Sequence, residues 1–521
     1  MTLSQTSGGK GARRRKRNGG SGLANTSSRV KTTRPNYITR AIPYYDFLSA
    51  DQLGTILEHA DWLMEEIGLR WADHPNSLAI WKEAGADVRG DMVHLPKGMA
   101  RQLAQTCPSE FTQLAGNPVN SVKIGGNNQV FAAMYGAPFV HCLDEGRRYG
   151  NIRDFERLVR VAHQLDGIHH LGHVICEPVD VPVNKRHLDM LRIMLTQSDK
   201  PVLGAITARS RAEDSCEMAR IWFGDETFSN NTVIMGNVNT NSPMLIDQVV
   251  ANAIEVYCGQ GQGIVVVPFI LSGAMGPVTT AASLAQAVAE ALSCAAFSQL
   301  IRPGAPFILG NFLSSMSLKT GAPTFGTPEP VMSNYAIGQI ARHLGLPLRC
   351  GGGLTSSKVP DAQSAYESAD SMHSTMLAGA NFVLHSAGWI EGGLSISFEK
   401  LVMDSDRNQG YAKFLGGLET DANALAASAF REVDPAGHFL GSSHTMANYQ
   451  TAFFEPESSD NKPFEQWEAE GSKAANARAM KRFKDLEAQY QDFAPSHDNS
   501  KIEALNAYVA QRSENMPDAW Y

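Results

Sequence analysis

Leu346–Glu399, LPLRCGGGLTSSKVPDAQSAYESADSMHSTMLAGANFVLHSAGWIEGGLSISFE, sets two strand, loop and helix units end to end. The apolar runs LPLRC (Leu346 to Cys350) and NFVLH (Asn381 to His385) read as buried strands, and Ala362 to Ala378 between them has helical length and period. Each strand runs into a loop crowded with glycine, hydroxyl, histidine, tryptophan and glutamate. Gly351, Gly352 and Gly353, then Gly388, Gly392 and Gly393, cost conformational entropy, so the backbone is expected to approach something bulky there.

The same alternation extends back along the chain. Candidate strands are Val130 to Met134, His170 to Cys176, Pro201 to Ile206, Thr232 to Gly236, Ile264 to Phe269 and Pro306 to Gly310, which with the two above makes eight. Between them lie helical stretches at 152–164, 184–196, 212–223, 243–258, 279–299 and 328–344. Strands about 30 to 40 residues apart, each followed by a helix, predict an α/β fold of the (β/α)8 TIM-barrel type. An open doubly wound sheet would more often carry an early GxGxxG turn, and none follows a strand here.

Around this body, residues 1–41 read as a disordered basic tail carrying Arg13 to Arg17, and 42–125 as a mostly helical extension. In that extension, a helix is expected to be capped by Ser49 and closed by Gly68. The barrel is assigned to 126–420, and 421–521 to a C-terminal loop and helical segment packed on it. The charged helical stretches after Lys473 suggest exposed helices or an oligomer contact.

The 521 residues, 43% hydrophobic and 19% charged, suit a globular enzyme, and a net charge of -8 argues against nucleic acid as a main partner. Seven cysteines without a CxxC pair indicate neither a disulfide framework nor a thiolate metal site, so a reducing cytoplasm is expected. No run approaches the roughly 20 apolar residues of a membrane span. His438 and His444 stand six positions apart, which is not a helical metal pair, and no bound metal is expected. Their segment is read instead as a loop folded over the barrel mouth, anchored by Phe439 and Tyr449.

In such a barrel the reactive groups follow the strands. Reading just past each strand collects Glu177, Asn237, Asn311, Phe312, Thr355, Ser356, His385, Trp389 and Glu391, with Tyr135 and Phe139 after the first. The set is polar and aromatic, and no Arg or Lys directly follows a strand, Lys358 lying further into its loop. That composition suits a cation: Tyr135, Phe139, Phe312 and Trp389 as an aromatic wall, with Glu177 and Glu391, would hold an alkylammonium group. His385 and Glu391 are the candidate catalytic groups. Tyr135, Phe139, Glu177, Asn311, Phe312 and Trp389 are the candidate substrate contacts. Arg147 and Arg148, in the expected hairpin DEGRRYG, read as structural.

At these residues the chain resembles the trimethylamine methyltransferase family, the corrinoid-dependent methyltransferases of methylamine and betaine metabolism. The likeness rests on MYGAPF, CEPVDVP with RHLDM, SDKPVL, AMGPVTTAASLAQAVAE, IRPGAPFILGNF, LGLPLRCGGGLTSSKVPDAQ, GANFVLHSAGWIEGGLS and GHFLGSSHT, and spans about Ile42 to Trp467. It implies a TIM barrel whose mouth receives the cobalt cofactor of a separate corrinoid protein, with cob(I)alamin taking a methyl group from the amine. Gly351, Gly352, Gly353, Thr355 and Ser356 are then the expected cofactor-facing residues, and a homo-oligomer is expected.

The founding branch of that family carries pyrrolysine, and this chain has only standard residues. A tertiary amine would have to leave as an amide anion unless activated, whereas a quaternary ammonium leaves as a neutral amine. A quaternary substrate of the glycine betaine type is therefore expected, its carboxylate met by His385, Asn311 or backbone N–H groups of the 351–358 loop. Two other readings stay open: a barrel lyase or isomerase gripping a phosphate on the glycine loops, and a non-catalytic quaternary-amine binder or scaffold.

Overall fold

The computed structural model describes residues 36–520. The basic run at 13–17 lies outside the described residues.

Six of the expected strands form one parallel run, in the order Met235–Thr240, Gly263–Ser272, Phe307–Gly310, Leu348–Gly351, Phe382–Leu384 and Asn128–Phe131. The other two depart from expectation. Around His170 and Leu203 only isolated parallel bridges form, Ala132 with His170 and Leu203 with Met235, joined by hydrogen bonds from Leu171 N to Pro201 O and from Leu203 N to Gly172 O. Gly172 sits at φ 72°, and Pro201 has no N–H to donate, so neither segment can extend a ladder.

The intervening helices follow their local signals. Ile152–Gln164 starts in a capping box between Asn151 and Asp154. Pro328–Leu344 has proline in its first turn and Gly345 at its end, and Ala362–Ala378 runs from an Asp361 cap to Gly379. Thr280–Ile301, with mean hydropathy 1.3, is long and apolar enough to cross a membrane, contrary to the expectation that no segment would be. It is 89% buried, and its Glu290 is fully enclosed, accepting hydrogen bonds from Thr240, Ser242, Gln286 and the Met244 N–H, so it is a core helix.

Period two sorts the strand residues onto two faces. Ile264 and Val266 join the large core beneath the helices. Val265 and Val267 join a smaller cluster with Val130, Leu203, Met235, Ile308, Phe382 and Leu384. Tyr135 and Phe312 pack against this smaller cluster at the strand ends.

The flanking regions also depart from expectation. Ser49 does cap Ala50–Trp62 through a capping box with Gln52, and Gly68, at φ 77°, ends the π-helical turn that follows. The extension is not mostly helical, however. Leu69–Trp71, Asp87–Arg89 and Met92–His94 form antiparallel pairs, as do Glu110–Gln113 and Val122–Gly125. At the other end Ala475–Ala488 and Asn499–Glu514 are docked helices: Phe483 stacks on Phe398 at 4.8 Å, and Tyr508 and Arg512 bond Asp214. Phe439 and Tyr449 are 39% and 57% exposed, and Phe439 meets Phe430 of its own segment edge-on at 5.3 Å. The chain that follows is tied to the helix Phe398–Leu415, where Asp406 accepts from the Glu457 and Ser458 N–H groups.

Candidate functional site

Phe312 is the hub of the strand ends. Its ring stacks on His385 (5.6 Å between centroids) and Phe325 (5.9 Å), and meets Phe269 at 5.1 Å and Trp389 edge-on at 5.9 Å. His385 and Trp389 touch at 4.6 Å, and Phe325 and Trp389 at 5.4 Å. Phe269 reaches the hub through strand register, lying opposite Phe312 in the ladder. Sequence position alone brings in neither Phe269 nor Phe325.

His385 is buried at φ 60°, a left-handed conformation that a non-glycine residue holds only when its surroundings demand it. Its Nδ1 accepts a hydrogen bond from the Tyr135 N–H at 3.2 Å. Burial, with the charge of Arg349 added, holds its pKa well below the ordinary imidazole value. The ring is therefore neutral, with its proton on Nε2. Tyr135 is its partner on the adjacent strand end, and burial, with Glu177 adding, pushes the Tyr135 phenol up.

The loops after Leu348–Gly351 and Phe382–Leu384 are zipped to each other. Trp389 Nε1 and the Gly392 N–H donate to the Thr355 carbonyl, and the Glu391 N–H donates to Ser357 O. A Cβ on Gly352 would sit 2.6 Å from Ser386 Cα, so the bulky thing that approaches the glycine run is the neighbouring loop. Gly351 faces Leu354 and Gly353 faces Ser386 O. Buried Glu367 takes the Thr355 hydroxyl and the Ser356 N–H. The N–H groups of Gly352, Gly353, Leu354, Ser356 and Ser357 all have protein acceptors, so this loop offers no anion nest.

The remaining sequence candidates lie around this hub in different settings. Glu391, at φ 55°, accepts from Arg147 Nε at 2.7 Å and from the Ser395 hydroxyl at 2.5 Å. Burial works to raise its carboxyl, but these two donors outweigh it and hold the group below the usual range. Phe139 lies under the Arg147 guanidinium at 3.5 Å, on the hairpin formed by Phe139–Cys142 and Gly146–Tyr149, and makes no ring contact with the Phe312 hub. Glu177 is paired with Arg186 at 2.9 Å. Asn311 turns its amide toward Ser333 and Asn334 on a helix, away from the hub.

Arg349 is the residue missed. It is 2% exposed, one strand position before Cys350, and its guanidinium stands 5.1 Å over the Phe312 ring. Nη1 donates to the Asn311 carbonyl at 3.1 Å, while Nε has no partner. Burial lowers its pKa to about 10, which leaves it charged at neutral pH. The signal was available: between Leu348 and Cys350, both in the outer core, period two turns position 349 to the opposite face. Asn237 Oδ1, on the strand Met235–Thr240, and Asn311 Oδ1 are among the other buried polar atoms without a partner among the described residues.

The chain has recognisable relatives among known proteins. The sequence matches the family model described as trimethylamine methyltransferase (MTTB) over residues 10–517. It is 34% identical to a glycine betaine methyltransferase of Desulfitobacterium hafniense (strain Y51), over 91% of this chain and 98% of that one. It is 24% identical to a proline betaine:corrinoid methyltransferase of Eubacterium limosum, over 80% and 87% of the two chains. The crystal structure of the Methanosarcina barkeri monomethylamine methyltransferase (MtmB) aligns at a TM-score of 0.49 and 9% identity, covering 87% of this chain and 90% of that one.

Proposed function

We propose that this chain, which belongs to the trimethylamine methyltransferase family, removes a methyl group from a quaternary amine of the glycine betaine type and passes it to a corrinoid carried by a separate protein. The observation that carries the reading is the ring cluster of Phe269, Phe312, Phe325 and Trp389 at the strand ends, beside Tyr135. Aromatic faces attract an alkylammonium without requiring a counter-charge. When bound, the corrinoid supplies a strongly nucleophilic cobalt(I) centre that accepts the methyl group.

The protein's own task is placement. The N–C bond breaks with its electron pair left on nitrogen, so the amine departs neutral and needs no proton. A neutral His385 fits this, since a ring locked in one tautomer can orient a substrate without charge. Orientation of one methyl group along the line of attack is then the main source of rate. In this reading Glu391 and Glu177 act through Arg147 and Arg186, fixing the surrounding loops.

The parallel strands are read here as a closed eight-membered barrel. The bridges at Ala132 with His170 and Leu203 with Met235, and the hydrogen bonds between 171–172 and 201–203, support that closure, linking Asn128–Phe131 to Met235–Thr240. The small cluster that holds Val130, Leu203, Met235, Val265, Ile308 and Phe382 would be its interior. Around the strand ends Val179, Val278, Leu318, Val359 and Leu394 are exposed on five separate loops, an apolar margin suited to a broad macrocycle on a docked partner. Thr355 and Ser356, shaped by Glu367, would border it. The seven unpaired, buried thiols suit a cytoplasmic setting.

Mixing the full chain with a reduced corrinoid protein and glycine betaine is expected to convert the cobalt(I) absorption spectrum to that of the methylated form. No conversion with glycine betaine, proline betaine, carnitine or choline would sink the proposal. The rival phosphate reading has little to rest on, because the N–H groups of the glycine loop already have acceptors.

A further inference from the structure

The unpaired guanidinium beside the ring cluster is a feature that methyl transfer from a cation does not by itself explain. A positive charge next to an alkylammonium site repels its ligand, and burying a charge without a counter-ion costs stability. Arg349 incurs both penalties. No carboxylate of the described residues forms an ion pair with it, one N–H goes to the Asn311 carbonyl, and Nε points at no acceptor.

Its position is marked by the Phe312 ring and by the strand register. The guanidinium lies over Phe312, and it acts electrostatically on both His385 and Tyr135. Register gives the same answer: Arg349 is opposite Phe382, which belongs to the small cluster below the site, while Leu348 and Cys350 belong to the outer core. The side chain therefore stands at the floor of the ring cluster, its Nε buried with no acceptor among the described residues.

Building on the betaine reading above, we infer that Arg349 is the carboxylate-binding residue of the site and selects quaternary amines that carry a carboxylate. The guanidinium takes the carboxylate in a forked pair. The methylated nitrogen is held at the opposite end, against the rings of Phe312, Trp389 and Tyr135. Such a site discriminates along the length of a zwitterion: a quaternary cation with a hydroxyl in place of the carboxylate leaves the buried guanidinium unpaired, and is rejected for that reason.

Calorimetric titration of the full chain with glycine betaine, choline and tetramethylammonium tests this. Wild type is expected to bind glycine betaine at least about 30-fold more tightly than choline. In Arg349→Met the betaine affinity is expected to fall by roughly 30- to 1000-fold while that for choline stays within about threefold. The ligand-free variant is expected to melt at or above the wild-type temperature, since an uncompensated buried charge has been removed. Equal loss for both ligands, no loss for either, or a lowered melting temperature without ligand would overturn the assignment. Arg349→Lys, which retains the charge, is a second arm: betaine binding alone should weaken, and unchanged betaine binding counts against a forked contact.

The two proposals fail differently. Methyl transfer from choline and glycine betaine alike, indifferent to Arg349, overturns the carboxylate assignment and leaves the methyltransferase reading standing. Arg349-dependent betaine binding with no transfer to any reduced corrinoid does the reverse.

Discussion

Arg349 and Glu391 stand on neighbouring strand and loop units and are handled in opposite ways. Glu391 lies at the edge, 18% exposed at its side chain, and is supplied with Arg147 and Ser395. Arg349 is sealed at 2% exposure with no counter-ion among the described residues and one unpartnered nitrogen. Leaving a carboxylate unpaired near the surface would have cost little, because water screens it. Leaving a guanidinium unpaired in the interior costs far more. Of these two charges the more exposed one has partners and the buried one lacks a counter-charge, although the buried Glu290 and Glu367 are well supplied, the arrangement expected when the missing partner is a ligand.

That contrast depends on the two units keeping one relative position, and the contact between them is the first place to break it. Gly352→Ala would put a methyl group 2.6 Å from Ser386 Cα and 3.0 Å from its nitrogen, both backbone atoms that cannot swing aside. A loss of about 2 to 3 kcal/mol in unfolding free energy is expected, measured by denaturant titration, with methyl transfer reduced in the folded fraction. Gly353→Ala, where the added carbon meets Ser386 O at 3.4 Å, is expected to cost under about 1 kcal/mol. If the two variants behaved alike, the loops would not be held by that contact.

Much of this arrangement is legible in the order of the residues, and the gaps have physical causes. The apolar runs at 264–269, 306–310, 346–350 and 381–385 are strands because period and composition agree there. The runs near 170 and 201 look similar, but Gly172 and Pro201 interrupt the ladder. His385, Trp389 and Phe312 stand just past the ends of parallel strands, and they do meet. Arg349 escapes a reading of strand ends because it lies inside its strand. The partner of Glu391 could not be foreseen: Arg147 is 244 positions away, joined only through a hairpin that folds onto the strand Ser395–Ser397. The glycine run is recognisable as a site of close approach, but sequence does not say whether a ligand or the next loop does the approaching.

A smaller effect is expected from Glu391→Gln, which tests the other half of the contrast. Arg147 is 43% exposed and keeps its contact with the Phe139 ring at 3.5 Å, so the hairpin should survive the loss of one ion pair. About 0.5 kcal/mol of stability and less than about a threefold change in kcat/KM are expected. A general acid or base at this position would cost at least about 100-fold. A loss of that size, with stability unchanged, would mean that Glu391 acts on the substrate and that its pairing with Arg147 is broken when substrate enters.

The smallest expected effect is the absence of one, and it concerns the group between the two charges. Burial and the neighbouring Arg349 depress the pKa of His385, so the folded protein holds it neutral while the unfolded chain protonates it near the ordinary value of 6.5. Its contribution to stability is then complete above that value and is lost as pH falls toward the depressed folded pKa, because unfolding takes up a proton there. Between pH 6 and 8 the ring does not change charge in the native state. The profile of kcat/KM for betaine demethylation should therefore show no histidine inflection in that window, and His385→Asn should lower its height without changing its shape. An inflection near 6.5 that disappears in the variant would show a ring that charges in the folded enzyme. A second cation would then sit beside Arg349, and a carboxylate already bound there in the resting protein would be the simplest way to tolerate it.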